Sequence, residues 1–318
     1  MKGSVTVIIP CFNVERFIAE ALDSVLAQGT VVEKVHCVDN GSQDDTVDAV
    51  KQWIATHPDF LVELEHESRR GACAARNRPL ERVTTEWVQY LDADDLLLPG
   101  KLEAQVRDAG DADVICEQTI HRAVDGSERI KVPLAEVEVG LMAGNLGNTC
   151  ANLWRTSKLV EVDGWDAALS SSQEYDLMLR IYEAGGRFVN LPGVRTVVRE
   201  RATGQISQGD PVKRWRQLVE VQVRMLEVFR SRSVSPERME AVHQAFFGGL
   251  RTLYPYDAER AVELWQRYLA PSGFQPYASA LNTNSYIWAY RLLGFRGAER
   301  VKAMLRRCRR THVDRAPH

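Results

Sequence analysis

The sequence predicts an α/β protein: a mostly parallel sheet flanked by helices, followed by a C-terminal helical extension. Three observations lead there. Short β-branched or aromatic runs alternate with helix-period segments over the first hundred residues, the pattern of parallel strands with crossover helices. Polar stretches follow the strands, at the carboxyl edge where open α/β sheets bind ligands. Beyond about residue 210 the apolar spacing becomes purely helical.

Val5-Thr6-Val7-Ile8-Ile9-Pro10 reads as a buried strand ended by proline. Asn13 is placed to cap a helix carrying Phe17, Ile18, Ala21, Leu22, Val25 and Leu26 on one face. Val35–Val38 is a second strand ending in Asp39-Asn40-Gly41-Ser42, and Val47, Val50, Trp53 and Ile54 mark the next helix. Leu61–Leu64 is a third strand and Ala72–Leu80 a short helix. Trp87–Leu91 is a fourth strand, running directly into Asp92-Ala93-Asp94-Asp95. Three carboxylates within four positions need a counter-charge. A hard divalent cation, Mg²⁺ or Mn²⁺, would supply it; the plainer reading is an acidic turn capping a helix that starts near Pro99.

Asp113–Cys116 is a further strand, followed by a polar hairpin around Asp125-Gly126. Asn152 and Trp154 lie in a stretch of small and polar residues. Trp154 is either an aromatic floor for a sugar or, with Trp165, part of the core. Ser170-Ser171-Ser172-Gln173-Glu174-Tyr175-Asp176 opens a helix, where acids suit the macrodipole. Arg187–Leu191 is a strand. Arg195, Arg199 and Arg201 precede a Gly/Gln/Ser-rich loop, 204–209, suited either to closing over an anion or to solvent. Trp215, Leu218, Val219, Gln222, Met225 and Phe229 then form a helical stripe, and three more helical segments run to Arg310.

Composition, 45% hydrophobic and 26% charged, is that of a globular domain. No run reaches the roughly 18 uncharged apolar residues of a membrane span, and the N-terminus lacks a signal-peptide pattern. The six cysteines are scattered with no Cys-x-x-Cys pair, pointing to reduced thiols in a cytoplasmic protein. Net charge is −3, but Arg291–His318 holds nine Lys/Arg against two acids, +7, leaving −10 for the remainder. An acidic body argues against nucleic acid as partner. The aromatic and basic end, from Tyr286 on, suits peripheral contact with an anionic membrane at its inner face, or a solvated helix packed by its apolar side.

A dinucleotide fold would require Gly-x-Gly-x-x-Gly after the first strand, where Pro10-Cys11-Phe12-Asn13 stands. A phosphate-binding Gly-Lys-Ser/Thr loop and the lysine-rich first loop of a nucleotidyltransferase are likewise absent. Instead Val7–Asn13, Val38–Ser42, Gly71-Ala72-Cys73-Ala74-Ala75-Arg76-Asn77 and Leu91–Asp95 resemble, in order and spacing, the motifs of family 2 inverting glycosyltransferases. The resemblance covers roughly the first 200 residues.

It implies the A-type glycosyltransferase fold, with a nucleotide-binding sheet. The implied catalytic domain is 1–210, divided into a nucleotide-sugar half, 1–100, and an acceptor half, 101–210, with 211–318 as the helical extension. It further implies that Pro10, Phe12, Asn13, Asp39 and Asn40 hold the donor's nucleoside, with Arg76 near it. Asp92-Ala93-Asp94 resembles the Asp-x-Asp pair that holds ribose and a divalent metal on the diphosphate, and Asp95, an extra acid beside it, could share that role. The family often has Asp-Asp-Gly-Ser after the second strand, its second Asp reading the imide of uracil. Asn40 replaces it with an amide that donates and accepts, leaving uridine, thymidine and guanosine open.

Glu174 falls where the family usually has a catalytic Asp, so the resemblance makes it the general base, with Asp176 the runner-up. Asn152 and Trp154 become acceptor-side candidates. Processive members carry Gln-x-x-Arg-Trp; here Arg214-Trp215 is present but position 211 is Pro, implying one sugar per encounter. The expected activity is transfer from a nucleoside-diphosphate sugar to a saccharide or lipid-linked acceptor, as in polysaccharide biosynthesis. The alternative is a transferase-like subunit that holds a saccharide or partner without chemistry.

Overall fold

The computed structural model describes residues 4–201, 210–279 and 282–313, with side chains as far as 305. It forms two compact units, Met1–Gly209 and Asp210–His318.

Nine strands of the first unit form one sheet: β1 (Val5–Cys11), β2 (Val32–Asp39), β3 (Val62–His66), β4 (Trp87–Tyr90), β5 (Leu96–Leu97), β6 (Val114–Arg122), β7 (Glu128–Lys131), β8 (Leu153–Arg155) and β9 (Phe188–Arg199). Their order is β3-β2-β1-β4-β8-β6-β9-β5, with β7 paired to β6. The helices are α1 (Ile18–Leu26), α2 (Thr46–Thr56), α3 (Ala72–Asn77), α4 (Lys101–Asp108), α5 (Val137–Ala143), α6 (Thr156–Glu161) and α7 (Gln173–Glu183).

β3, β2, β1 and β4 are parallel neighbours, with Val7 opposite Val35 and Gln89, and Ile9 opposite Cys37. Both faces are covered, which is why β1 is a continuous β-branched run and not an alternating one. Val5, Val7 and Ile9 pack with Ile18, Leu22 and Val25 of α1, and Val50 and Trp53 of α2 join the same core. All four predicted strands begin within three residues of their expected starts. The end of β1 is different from expectation: α1 starts at Ile18, so Asn13 is not its cap. Asn13 instead takes a left-handed φ of 52°, which Asn tolerates. There its Oδ1 accepts the Gln43 N–H at 2.8 Å and ties the first strand-end loop to the second.

Past β4 the sheet turns mixed: β8 is antiparallel to β4 and β6, and β9 is parallel to β6. β9 is longer than its sequence suggested. Pro192-Gly193, just past the expected end of the strand at Leu191, sits at a register irregularity against β6, the place where a sheet accepts proline. The strand therefore continues to Arg199 and delivers its arginines to the carboxyl edge of β4.

The second unit comprises α8 (Pro211–Ser231), α9 (Pro236–Leu253), α10 (Ala258–Tyr268) and α11 (Asn284–Val313), the last interrupted at Gly294 by non-helical backbone. Asp210, Ser235 and Asp257 cap the first three, accepting from Val212, Arg238 and Arg260 N–H, and Pro211 and Pro236 occupy first-turn positions. Phe247 lies at the centre of the unit's core, with rings of Phe274, Tyr290 and Phe295 at 5.0, 5.6 and 5.4 Å. A buried pair, Arg251 to Glu299 at 2.6 Å, ties α9 to the distal half of α11. No helix among the described residues is long and apolar enough to cross a membrane.

Candidate active site

At the carboxyl edge of β1, β2 and β4 lies an open cavity of about 440 Å³. Of the residues expected to act there, Pro10, Phe12, Asn40, Arg76, Asp92, Ala93 and Asp94 line it; Asn13 and Asp39 do not. Asp39 stands behind the wall. Its carboxylate accepts Gly41 and Ser42 N–H at 3.1 and 3.2 Å and faces His66 at 3.3 Å, shaping the turn after β2. These hydrogen bonds outweigh burial, which raises its pKa, and hold it below the usual carboxylate range.

Asn40 does not present its amide to a base. Nδ2 donates to the carbonyls of Glu67 and Arg69, both at 2.8 Å, and Oδ1 accepts Gly71 N–H at 2.7 Å. Gly71 is held at φ 122°, open to glycine but strained for other residues. Asn40 thus closes the β3–α3 loop, and only an amide can do so, since two carbonyls need a donor. Asn40→Asp is accordingly expected to destabilise the protein by about 1–3 kcal/mol, read as a lowered midpoint in urea. An unchanged midpoint would remove this account of the Asn.

The carboxylates follow the turn after β4, with Asp95 N–H returning to the Asp92 carbonyl. Asp92, its side chain 39% exposed, pairs with Arg76 Nη2 at 2.6 Å. Arg76 is buried with its guanidinium 4.5 Å from the Trp165 ring centre. Asp94 is paired with Arg201 Nε at 2.7 Å. Burial, then the Asp92 charge, raise its pKa against the pull of Arg201. Asp95 is deeper still and is pushed well above the ordinary range, first by burial and then by Asp92 and Asp94; it accepts Arg199 N–H at 2.9 Å.

Cys150, which the sequence did not single out, accepts the Asp92 N–H at 3.2 Å. Its Sγ clusters with Asp92 and Asp95 oxygens, but burial and both acids keep it a thiol. A cysteine sulfur is a soft ligand, whereas Mg²⁺ and Mn²⁺ prefer carboxylate oxygens, so Cys150 suits such a cation poorly. The oxygens of Asp92 and Asp94 fit the preference of Mg²⁺ or Mn²⁺ for a few carboxylates completed by phosphate.

Glu174, in the first turn of α7, accepts the Thr149 N–H at 3.0 Å and the Thr149 hydroxyl at 2.7 Å. It does not itself line the cavity but is joined to residues that do. Its neighbour Gln173 accepts from Arg76 at 3.3 Å, and Thr149 precedes Cys150. The 148–152 segment is fixed from behind by fully buried polar side chains. Gln89 and Gln105 donate to the carbonyls of Cys150 and Ala151, each at 2.9 Å, and Lys101 donates to both glutamines. Burial, opposed by the charge of Glu117, pushes the Lys101 ammonium down to about 8.

Three expectations need correcting. Asp176 is 1% exposed and paired with Arg180 at 2.9 Å, one turn along α7, so it braces the helix and does not face the cavity. Trp154 is wholly buried, with rings of Tyr90 and Trp165 at 6.3 and 6.0 Å; it is core, not an acceptor floor. Asn152 is equally buried and donates to the Leu146 carbonyl. Both belong to the β8 approach, which the mixed half of the sheet encloses. Of the three arginines, Arg195 turns away to the buried Glu117 at 3.0 Å, whereas Arg199 and Arg201 line the cavity. The loop 204–209 lies outside the described residues.

Residues 6–160 match the sequence profile of glycosyl transferase family 2. The N-terminal region belongs to that family. The EpsE protein of Bacillus subtilis (strain 168) is 27% identical to this chain over 209 residues, covering 62% of this chain and 73% of EpsE. Chondroitin synthase of Escherichia coli is 25% identical over 57% of this chain, a stretch that is only 27% of the synthase. Two solved structures share the fold. S. aureus TarS 1–349 in complex with UDP-GlcNAc has a TM-score of 0.61 at 18% identity, covering 85% of this chain and 76% of that one. Mannosyltransferase PcManGT from Pyrobaculum calidifontis, in complex with GDP-Man and Mn²⁺, has 0.56 at 20%, covering 92% and 87%. The A-type glycosyltransferase fold is therefore that of this chain. Its N-terminal region is thus a family 2 glycosyltransferase domain, of the kind that moves sugar from a nucleotide-sugar donor.

Proposed function

We propose that this family 2 enzyme is an inverting, metal-assisted transferase that adds one sugar per encounter to a saccharide or lipid-linked acceptor, with Glu174 as general base. The observation that carries the reading is that one segment ties both groups together: Thr149 anchors Glu174, and the adjoining Cys150 accepts the Asp92 N–H of the cavity-lining Asp-x-Asp pair. Inversion needs a base on the face opposite the leaving nucleotide, aimed at the acceptor hydroxyl. The two Thr149 donors fix the aim of Glu174. Asp92 and Asp94 would hold Mg²⁺ or Mn²⁺, which supplies charge neutralisation to the departing diphosphate. Arg76 and Arg199 add fixed positive charge around it. Phe12, 46% exposed at the cavity rim with the Arg70 guanidinium 6.0 Å from its ring, offers a stacking face for the nucleobase. Asn40 lines this nucleoside pocket and braces it through the β3–α3 loop without reading the base.

Purified enzyme is expected to release nucleoside diphosphate from at least one member of a UDP-, dTDP- and GDP-sugar panel when Mn²⁺ and oligosaccharide or polyprenyl-phosphate-linked acceptors are supplied. Binding of a donor with no release under any of these conditions would favour the non-catalytic, saccharide-holding alternative.

Peripheral membrane contact is supported by α11. Trp288 is 68% exposed, and Leu292, Leu293, Met304 and Leu305 are also exposed, on a segment that includes the exposed Arg291 and Arg300. The tail cannot simply be cut after Leu293, because Phe295 and Glu299 are core residues. Removing 306–318 takes five of the nine basic residues and leaves that core intact. With about 1 kcal/mol per basic residue near anionic headgroups, binding to phosphatidylglycerol vesicles should fall at least roughly tenfold, and the loss should shrink in high salt. Equal binding by both forms would leave α11 a structural helix.

A further inference from the structure

Asp94 already has a cation. Arg201 pairs with its carboxylate, both side chains are largely buried, at 20% and 12% exposure, and the Arg201 guanidinium lies 5.5 Å from the Phe17 ring. Arg199 is placed differently. Its backbone N–H binds Asp95, and its side chain reaches the Asp94 carbonyl and Glu20. Arg201 Nε sits on Oδ2 of Asp94, so a divalent ion drawing on the same small, partly buried carboxylate meets the guanidinium's positive charge at close range. Yet that carboxylate, beside Asp92 and Asp95, cannot be left without a positive neighbour.

We propose that Arg201 is a tethered counter-cation that holds the Asp94 site until the nucleotide arrives. The donor's diphosphate, itself a bidentate partner for a guanidinium and carrying more charge than one carboxylate, draws Arg201 off Asp94 and leaves that carboxylate to the divalent ion. Metal and nucleotide then load as a coupled pair: each tightens the other, because each removes the same competitor. The inference rests on the reading of this cavity as a metal–diphosphate site. It adds an order of loading that the Asp-x-Asp motif does not contain, and it gives Arg201 two partners in succession.

The test is direct Mn²⁺ binding, read from the electron paramagnetic resonance signal of the free ion, with and without UDP or GDP and corrected for ion held by free nucleotide. Wild-type enzyme is expected to bind Mn²⁺ weakly alone and roughly tenfold or more tightly with the nucleotide, within the usual range of site–site coupling. Arg201→Ala should bind Mn²⁺ alone about tenfold more tightly than wild type, and the nucleotide should then add correspondingly less. Arg201→Gln, which keeps the length and polarity of the side chain, should behave like the alanine variant. Arg201→Lys should stay close to wild type. Each variant is first checked for an unchanged thermal melt. If Arg201→Ala and Arg201→Gln bind Mn²⁺ alone no better than wild type while the nucleotide effect persists, the counter-cation role is wrong. If no form binds Mn²⁺ even where UDP or GDP binds, the metal-site reading falls and takes this proposal with it.

Discussion

Glu174→Gln is expected to slow sugar transfer by about 10²–10⁴-fold while leaving nucleoside-diphosphate affinity within about twofold. Losing a positioned general base costs that much because the acceptor hydroxyl must then shed its proton to water. The change is close to isosteric, and Gln still accepts from the Thr149 N–H and hydroxyl that hold Glu174. Fold and donor site should therefore persist, and the loss should appear in the rate of transfer. Asp176→Asn provides the contrast. That carboxylate is buried against Arg180, so the substitution weakens a charge pair inside the protein. Breaking a buried pair outright costs about 3–5 kcal/mol, and an amide that retains one hydrogen bond should cost less. Its signature is a lower melting temperature with turnover preserved in the folded fraction. A Glu174→Gln enzyme at wild-type rate, or an inactive but fully stable Asp176→Asn enzyme, would overturn the assignment.

Asp94→Ala should reduce transfer by at least about 10²–10³-fold, the usual cost of removing one element of preorganised charge stabilisation. The reason is specific to the geometry. Asp92 is held by Arg76, which is buried against Trp165, and Asp95 by the backbone N–H of Arg199, whereas Asp94 pairs with Arg201, the side chain proposed above to give way to the metal. Asp94 is therefore the carboxylate whose loss leaves an incoming cation least well held. Chelating the metal from wild-type enzyme should reproduce the defect, and adding a chelator to Asp94→Ala should slow it little further. Retention of wild-type turnover by Asp94→Ala, in metal-free buffer and in Mn²⁺, would show that diphosphate departure does not depend on this carboxylate.

The sequence by itself determined the parallel core and the composition of one edge of it. β1 to β4 are each written within a few residues, as apolar runs with polar residues immediately after them. Pro10, Arg76, Asp92 and Asp94 lie on such runs or on the short helix between them. Consecutive parallel strands and their crossover helices pack beside one another, so period and order suffice to place these residues together. The helical character of the second unit was equally legible, because its apolar stripes are local.

What only the tertiary structure decided comes from pairings distant in the chain. β8 lies between β4 and β6, which buries Trp154 and Asn152 and brings Thr149 and Cys150 to Glu174 and Asp92. β9 runs past a proline to carry Arg199 and Arg201 onto acids more than a hundred residues earlier. Asn40 looked like a base reader because an amide's hydrogen-bonding capacity is visible in its residue type. Its partners are three backbone groups of another loop, and no periodicity encodes them. Side-chain chemistry is a property of the residue. Which side chains are already satisfied is a property of the packing, and here that decided which of the candidate groups are left to meet a substrate.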